Sequence, residues 1–186
     1  MANTQYVALL KGINVGRAKR IAMADLRELL AGLGYRDVVT HLQSGNAAFS
    51  ATGTAGTVGA AIEAALVGDL GVSVKVVVRT HAQLARAMAG DPYEAIADDP
   101  AKHLLGFFSE VPDKAKLAAF EDLVAGKNGD PEVVGVHEIS GDHCYLWCPK
   151  GVNVSLFATL DWDRKLGVTV TMRNWTTVQK LLEMSA

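Results

Sequence analysis

The feature that most constrains this fold is a repeated order of elements. "VVVRTHAQLARAM" from Val76 and "VTMRNWTTVQKLL" from Val170 align without a gap. Each reads as a strand, an arginine (Arg79, Arg173), a capping residue (Thr80, Asn174) and a helix with apolar residues at matching places. Each stretch also closes a longer series. In the first, Tyr6–Leu10 is an apolar run that predicts a buried strand. Met23–Leu33 carries Leu26, Leu29, Leu30 and Leu33 at helical spacing, and Gly34 suits its C-terminal cap. Val38–Leu42 and Ala47–Ser50 read as strands around "SGN". Val58–Leu70 is a helix striped by Val58, Ile62, Leu66 and Leu70, ended by Gly71, and Val74–Val78 is a β-branched strand.

The sum is β-α-β-β-α-β, the ferredoxin-like order. A further helix follows, opened by Thr80 and Gln83 at capping-box spacing and striped by Leu84, Ala87 and Met88. "DPYEAIADDP" reads as a linker. The order then returns, with a strand at Leu104–Phe108, a helix at Lys114–Val124 and a loop at "GKNGDP". A hairpin of Glu132–Ile139 and Cys144–Cys148 comes next, then a helical stretch at Val154–Leu160, with "DWDRKLG" as a helical extension or a turn. A strand at Val168–Met172 and a helix at Asn174–Met184 close it. The expected fold class is therefore α+β: two ferredoxin-like βαββαβ subdomains related by an internal repeat, each followed by an extra helix. The expected boundaries are 1–90, a linker over 91–101, and 102–186.

Composition agrees with a packed, water-soluble protein. Apolar residues make up 49 % of the 186 and charged residues 20 %. A net charge of −2 argues against a surface that is basic throughout, as a general nucleic-acid binder would have. Charge is instead local. Lys11, Arg17, Lys19 and Arg20 precede the first acid, Asp25, while Asp91, Glu94, Asp98 and Asp99 cluster later. On a strand, Cys144 and Cys148 share a face about 13 Å apart, too far for a disulfide. Two reduced thiols imply a reducing, cytoplasmic setting. The apolar run near the N-terminus is too short for a signal peptide or a membrane span, so no membrane partner is expected.

Topology joins two motifs. In a ferredoxin-like sheet the first strand neighbours the third, so the loop Lys11–Arg20 should meet the turn Ser44–Gly45–Asn46. Arg79 should lie at the other end of that sheet. "KGINVGR" departs from a phosphate loop: only three residues separate Gly12 from Gly16, and no hydroxyl follows Arg17. It still offers backbone donors near Lys11 and Arg17. The alternative is a plain turn, with Gly12 and Gly16 at positive φ and Asn14 bonded to its own backbone. "QSGN" has the groups to hold an anion or a sugar edge, and equally those of a hairpin turn. In "RNWTTVQKLL", Asn174 caps a helix with Thr177 three residues on. Arg173 beside that helix start makes an anion site or an ordinary cap. The five histidines show no metal-ligand spacing. Neither a Gly-x-Ser-x-Gly elbow nor a Cys/His nucleophile pattern appears.

Taken together, "YVALLKGINVG", "MADLRELLAGLGYRDVVTHLQSGN" and "TMRNWTTVQKLL" resemble the bacterial family called domain of unknown function 1697. The resemblance runs from Tyr6 to about Leu182, and "GDPYEAI" resembles that family's Asn-Pro-aromatic segment. It implies an α+β fold of two related subdomains and brings no reaction or cofactor. It implies that Lys11, Gly12, Asn14, Gly16, Ser44, Gly45, Asn46, Arg173, Asn174 and Thr177 belong to the family pattern. Two departures stand out: Arg17 where many relatives carry a second glycine, and Asp91 in place of the usual asparagine before Pro92.

The sequence thus names no reaction, and whether the protein is an enzyme stays open. One expectation is a site for a small anionic, phosphate- or nucleotide-like ligand. Lys11 and Arg17 would supply charge, Gly12 and Gly16 backbone donors, Asn14 a further ligand contact from the same loop, and Ser44, Gly45 and Asn46 the facing turn with its orienting hydrogen bonds. Arg173, Asn174 and Thr177 would join if the halves pack suitably. The alternative is a non-catalytic nucleic-acid or protein interaction module, nucleic acid being the weaker partner, in which the motifs are structural.

Overall fold

The computed structural model describes residues 3–15, 19–126 and 135–186. Gly16 and Arg17 lie outside them, as do most of "GKNGDP" and the expected start of the second hairpin, Glu132–Val134. The chain divides into two compact units, Met1–Met88 with Gln179–Ala186, and Ala89–Val178.

The first unit runs β1 (Thr4–Leu10), α1 (Met23–Gly32), β2 (Arg36–His41), β3 (Asn46–Ala51), α2 (Ala55–Leu70), β4 (Val76–Thr80), and then α3 (His81–Ala89). Its antiparallel sheet has the order β2-β3-β1-β4. In the second unit the elements are β5 (His103–Phe108), α4 (Lys114–Ala125), β6 (Val136–Ser140) and β7 (His143–Trp147). A 3₁₀ turn (Val152–Val154), α5 (Leu156–Thr159), α6 (Trp162–Leu166) and β8 (Val170–Asn174) follow, and α7 (Trp175–Met184) starts in this unit but belongs to the first from Gln179 onward. Its sheet has the order β6-β7-β5-β8. Both are ferredoxin-like, as the element order predicts.

The repeat extends to single hydrogen bonds. Leu10 N–H donates to Gly45 O (2.8 Å) and Lys11 N–H to Lys75 O (2.9 Å). Phe108 N–H donates to Asp142 O (2.9 Å) and Ser109 N–H to Thr169 O (2.8 Å). The registers match: Leu10 faces Val76 and Tyr6 faces Thr80, while Phe108 faces Val170 and Leu104 faces Asn174. Lys11 thus corresponds to Ser109, Gly45–Asn46 to Asp142–His143, Lys75 to Thr169 and Arg79 to Arg173.

Strand alternation sends Tyr6, Ala8, Leu10, Phe49 and Val78 into a core closed by Leu26 and Leu30 of α1 and Ile62 and Leu66 of α2. Leu104, Phe108, Cys144 and Leu146 likewise pack with Phe120, Phe157, Trp162 and Leu166. The opposite faces, with Val7, Leu9, Leu105 and Phe107, are buried too, which is why these strands read as unbroken apolar runs. Several expected elements shift: β4 and β8 each run two residues later than Val74–Val78 and Val168–Met172, and three further changes have a clear local cause. A bulge between Arg36 and Val39, with Asp37 at φ 55°, starts β2 earlier. Thr54 and Thr57 form a reciprocal cap that starts α2 at Ala55. The helical stretch expected over Val154–Leu160 is shortened to Leu156–Thr159 by the Ser155 cap, and Asp161 caps a separate short helix within "DWDRKLG".

Candidate functional site

The loop after β1 and the turn between β2 and β3 meet. Asn14 makes the joint. Its Nδ2 donates to Ile21 O (2.9 Å) and across to Gln43 O (2.7 Å), while its Oδ1 accepts from Ile21 N–H (2.9 Å). One amide therefore ties both ends of the loop and fastens it to the turn. The expected bond of Asn14 to its own backbone is replaced by these three. Gly12 (φ 64°) and Asn14 (φ 57°) both hold the left-handed conformation, which glycine and asparagine adopt at little cost. Gly45 (φ 80°) sits so close to the loop that an added Cβ would lie 2.7 Å from Ile13 Cδ1 and 2.8 Å from Leu10 Cβ.

Asn46 is fully buried, and its Nδ2 donates to His41 O (2.8 Å) and Ser44 Oγ (3.0 Å). Lys19 and Arg20 are exposed and Lys11 half-buried. Arg79 stands opposite Val7, away from the loop end of β1.

Arg173, Asn174 and Thr177 belong to the second unit. Arg173 Nη1 donates to Thr171 Oγ1 and to Met172 O, both at 2.8 Å. Burial lowers its pKa to about 10. Arg79 Nη1 makes the same bond to Val78 O (2.9 Å). Asn174 Oδ1 caps α7 by accepting from Thr177 N–H (3.0 Å).

Two clusters went unpredicted. His103, 3 % exposed, lies with Nε2 3.2 Å from Asp91 Oδ1, off the hydrogen-bonding direction, and its ring stacks on Trp175 at 4.2 Å. Burial lowers the His103 pKa and outweighs the raising effect of Asp91. The other cluster is a chain. His143 Nδ1 is 3.1 Å from Asp142 Oδ1, and His143 Nε2 is 3.0 Å from the Tyr145 hydroxyl. An ionised Asp142 only accepts, so Nδ1 carries the proton and Nε2 accepts from Tyr145. Burial first, then Asp91, Glu138 and Cys144, push Tyr145 up to about 12, which keeps its hydroxyl protonated. The signal in the sequence is His143 and Tyr145 two apart on one strand face. Cys144 faces the other way, into the core, and Cys144 and Cys148 are both free thiols.

Among the described residues, no group of three or more His, Cys, Asp or Glu could hold a metal ion. No helix among them is long and apolar enough to cross a membrane.

The molecule is thus a duplicated ferredoxin-like α+β protein whose first unit carries an asparagine-tied basic loop. It belongs to the family described as protein of unknown function (DUF1697), whose model matches residues 3–138. Among solved structures it is similar to the conserved bacterial protein SP0830 from Streptococcus pneumoniae. That likeness has a TM-score of 0.74 at 20 % identity and covers 100 % of each chain. It shows the fold alone. No curated protein matches the sequence.

Proposed function

We propose that this protein binds a phosphate-bearing anion at the loop end of its first unit, through Lys11, Lys19, Arg20 and the Gly12 backbone. The observation that carries this reading is the Asn14 tie, in which a neutral amide fixes a basic loop onto a turn. Neither the loop segment from Lys11 to Ala22 nor the turn from Leu42 to Gly45 contains a carboxylate. The repeat adds support. Lys11 stands where the second unit has Ser109, so the strand-end geometry does not itself require a cation there. Lys75 is paired with Glu63 at 3.0 Å and is left out of the contact set. Asn14 and Asn46 act on the scaffold, since their amides already donate to protein acceptors. Arg17 lies outside the described residues.

This is a binding site and no catalytic step is assigned to it. The buried free thiols Cys144 and Cys148 suit a reducing, cytoplasmic setting.

A thermal-shift series with inorganic phosphate, ATP and a short oligonucleotide tests the reading. A ligand-dependent rise in Tm is expected, and it should disappear in the Lys11→Ala/Lys19→Ala/Arg20→Ala variant. A panel that leaves Tm unmoved, or a rise that survives the triple substitution, removes this site from consideration.

A further inference from the structure

The basic loop end carries a second kind of group that a free phosphate ligand does not use. Val15 is 74 % exposed and Leu42 is 55 % exposed. The two flank one hydrogen bond: Val15 follows Asn14 and Leu42 precedes Gln43, and the Asn14 amide joins those residues at 2.7 Å. Leu42 also holds φ 59°, a left-handed conformation that leucine rarely adopts. A leucine there is strained and gains little from burial, while asparagine or glycine would fit the turn better. Such a cost at an exposed turn calls for contact with something outside the molecule.

We infer that the anion recognised by this loop end is presented on a lipid surface. In this account Val15 and Leu42 enter the interfacial region of an anionic bilayer while Lys11, Lys19 and Arg20 hold phosphate headgroups. The inference rests on the anion-binding reading above and deepens it. A dissolved phosphate uses the cations and leaves two apolar side chains in water. A nucleic-acid backbone does the same, and neither residue is an aromatic on which a base could stack. A bilayer interface satisfies both kinds of group at once. The first unit's helices carry acids, Asp25 and Glu28 on α1 and Glu63 and Asp69 on α2, so attraction comes from the loops and should weaken as salt rises.

The test is flotation with mixed phosphatidylcholine–phosphatidylglycerol vesicles, compared with phosphatidylcholine alone, on the full chain. The wild type should float with the mixed vesicles only. Leu42→Asn relieves the backbone strain, so that variant should fold at least as stably, and it should lose partitioning about tenfold. Val15→Ser should act in the same direction. Both should keep any Tm shift with inorganic phosphate, whereas the triple cation variant should lose vesicle and phosphate binding together. Phosphate binding without flotation overturns the lipid inference and leaves the anion reading standing. Flotation that Leu42→Asn and Val15→Ser do not reduce overturns the apolar insertion. Flotation that survives the triple cation variant overturns the lipid inference, and the anion reading falls with it only if the phosphate-dependent Tm rise also survives.

Discussion

Replacing Asn14 separates a scaffold role from a ligand-contact role. Asn14→Ala removes three hydrogen bonds, two of them partly buried. At about 1 kcal/mol net each, with less for the exposed bond to Gln43, their loss costs about 2 kcal/mol. Alanine at φ 57° adds about 1 kcal/mol of strain that asparagine largely escapes. The total is about 3 kcal/mol, or a fall in Tm of roughly 6–10 °C for a chain of this size. Asn14→Gly loses the same bonds but not the φ term, so it should cost about 2 kcal/mol. Urea unfolding at constant m measures both, and the gap between the variants isolates the backbone contribution. If both variants lie within about 0.5 kcal/mol of wild type, the amide does not hold the loop. Asn14 would then return to the ligand-contact set.

The remaining predictions concern packing and pH. Gly45→Ala forces a Cβ against Ile13 and Leu10 at φ 80° and should destabilise by about 2–3 kcal/mol. Adding Ile13→Ala should restore little, because Leu10 Cβ cannot move aside; full recovery by denaturant midpoint would show that the turn is not clamped on β1. In the second unit, a Cβ on Gly106 would lie 2.6 Å from Cys144 Sγ. Gly106→Ala should therefore lower the midpoint, and Cys144→Ala in the same chain should recover much of it; equal instability of the two chains would count against this contact. His103 has a folded-state pKa below its ordinary value of 6.5. Its unfolded state thus binds more protons at acid pH, so its contribution is present above about pH 6.5 and lost as pH falls through the folded pKa. The stability difference between wild type and His103→Phe should shift against wild type across that window, and a difference independent of pH would contradict the assignment.

The fold was legible because each element announced itself locally. Tyr6–Leu10 is an apolar run, Leu26–Leu33 a helical stripe, and Thr80 with Gln83 the reciprocal cap observed at 2.9 and 3.1 Å. What escaped reading depends on neighbours in space or on unusual local chemistry. The Asp37 bulge depends on how β2 meets β3. Thr57 completes the Thr54 cap in place of the usual glutamate or glutamine, so α2 gave no familiar start signal. At the candidate site, the approach of loop to turn followed from strand order. The use of Asn14 did not, because an asparagine that bonds its own turn and one that bonds Gln43 look alike in sequence. Asp91 opens the linker and His103 lies beyond it, and their shared burial leaves no periodic trace.

The repeat supplies a comparison that a single-copy fold lacks. Positions with the same chemistry and the same bond in both units serve the fold. Arg79 and Arg173 meet that criterion, since each donates from Nη1 to the carbonyl of the preceding residue. Arg173 has a strongly lowered pKa, yet its recurrence argues that burial at the strand end, rather than a ligand, accounts for it. Positions that share backbone geometry but differ in side chain are where the units have separate tasks. Lys11 faces a turn of Gly45 and Asn46; Ser109 stands at the same place beside Asp142 and His143. The first turn is narrowed by a glycine and closed by a buried amide, which leaves the adjoining loop to carry the charge. In the second, a carboxylate, an imidazole and a phenol are linked in series. The same strand end therefore supports a cationic loop in one unit and a hydrogen-bonded chain of Asp142, His143 and Tyr145 in the other.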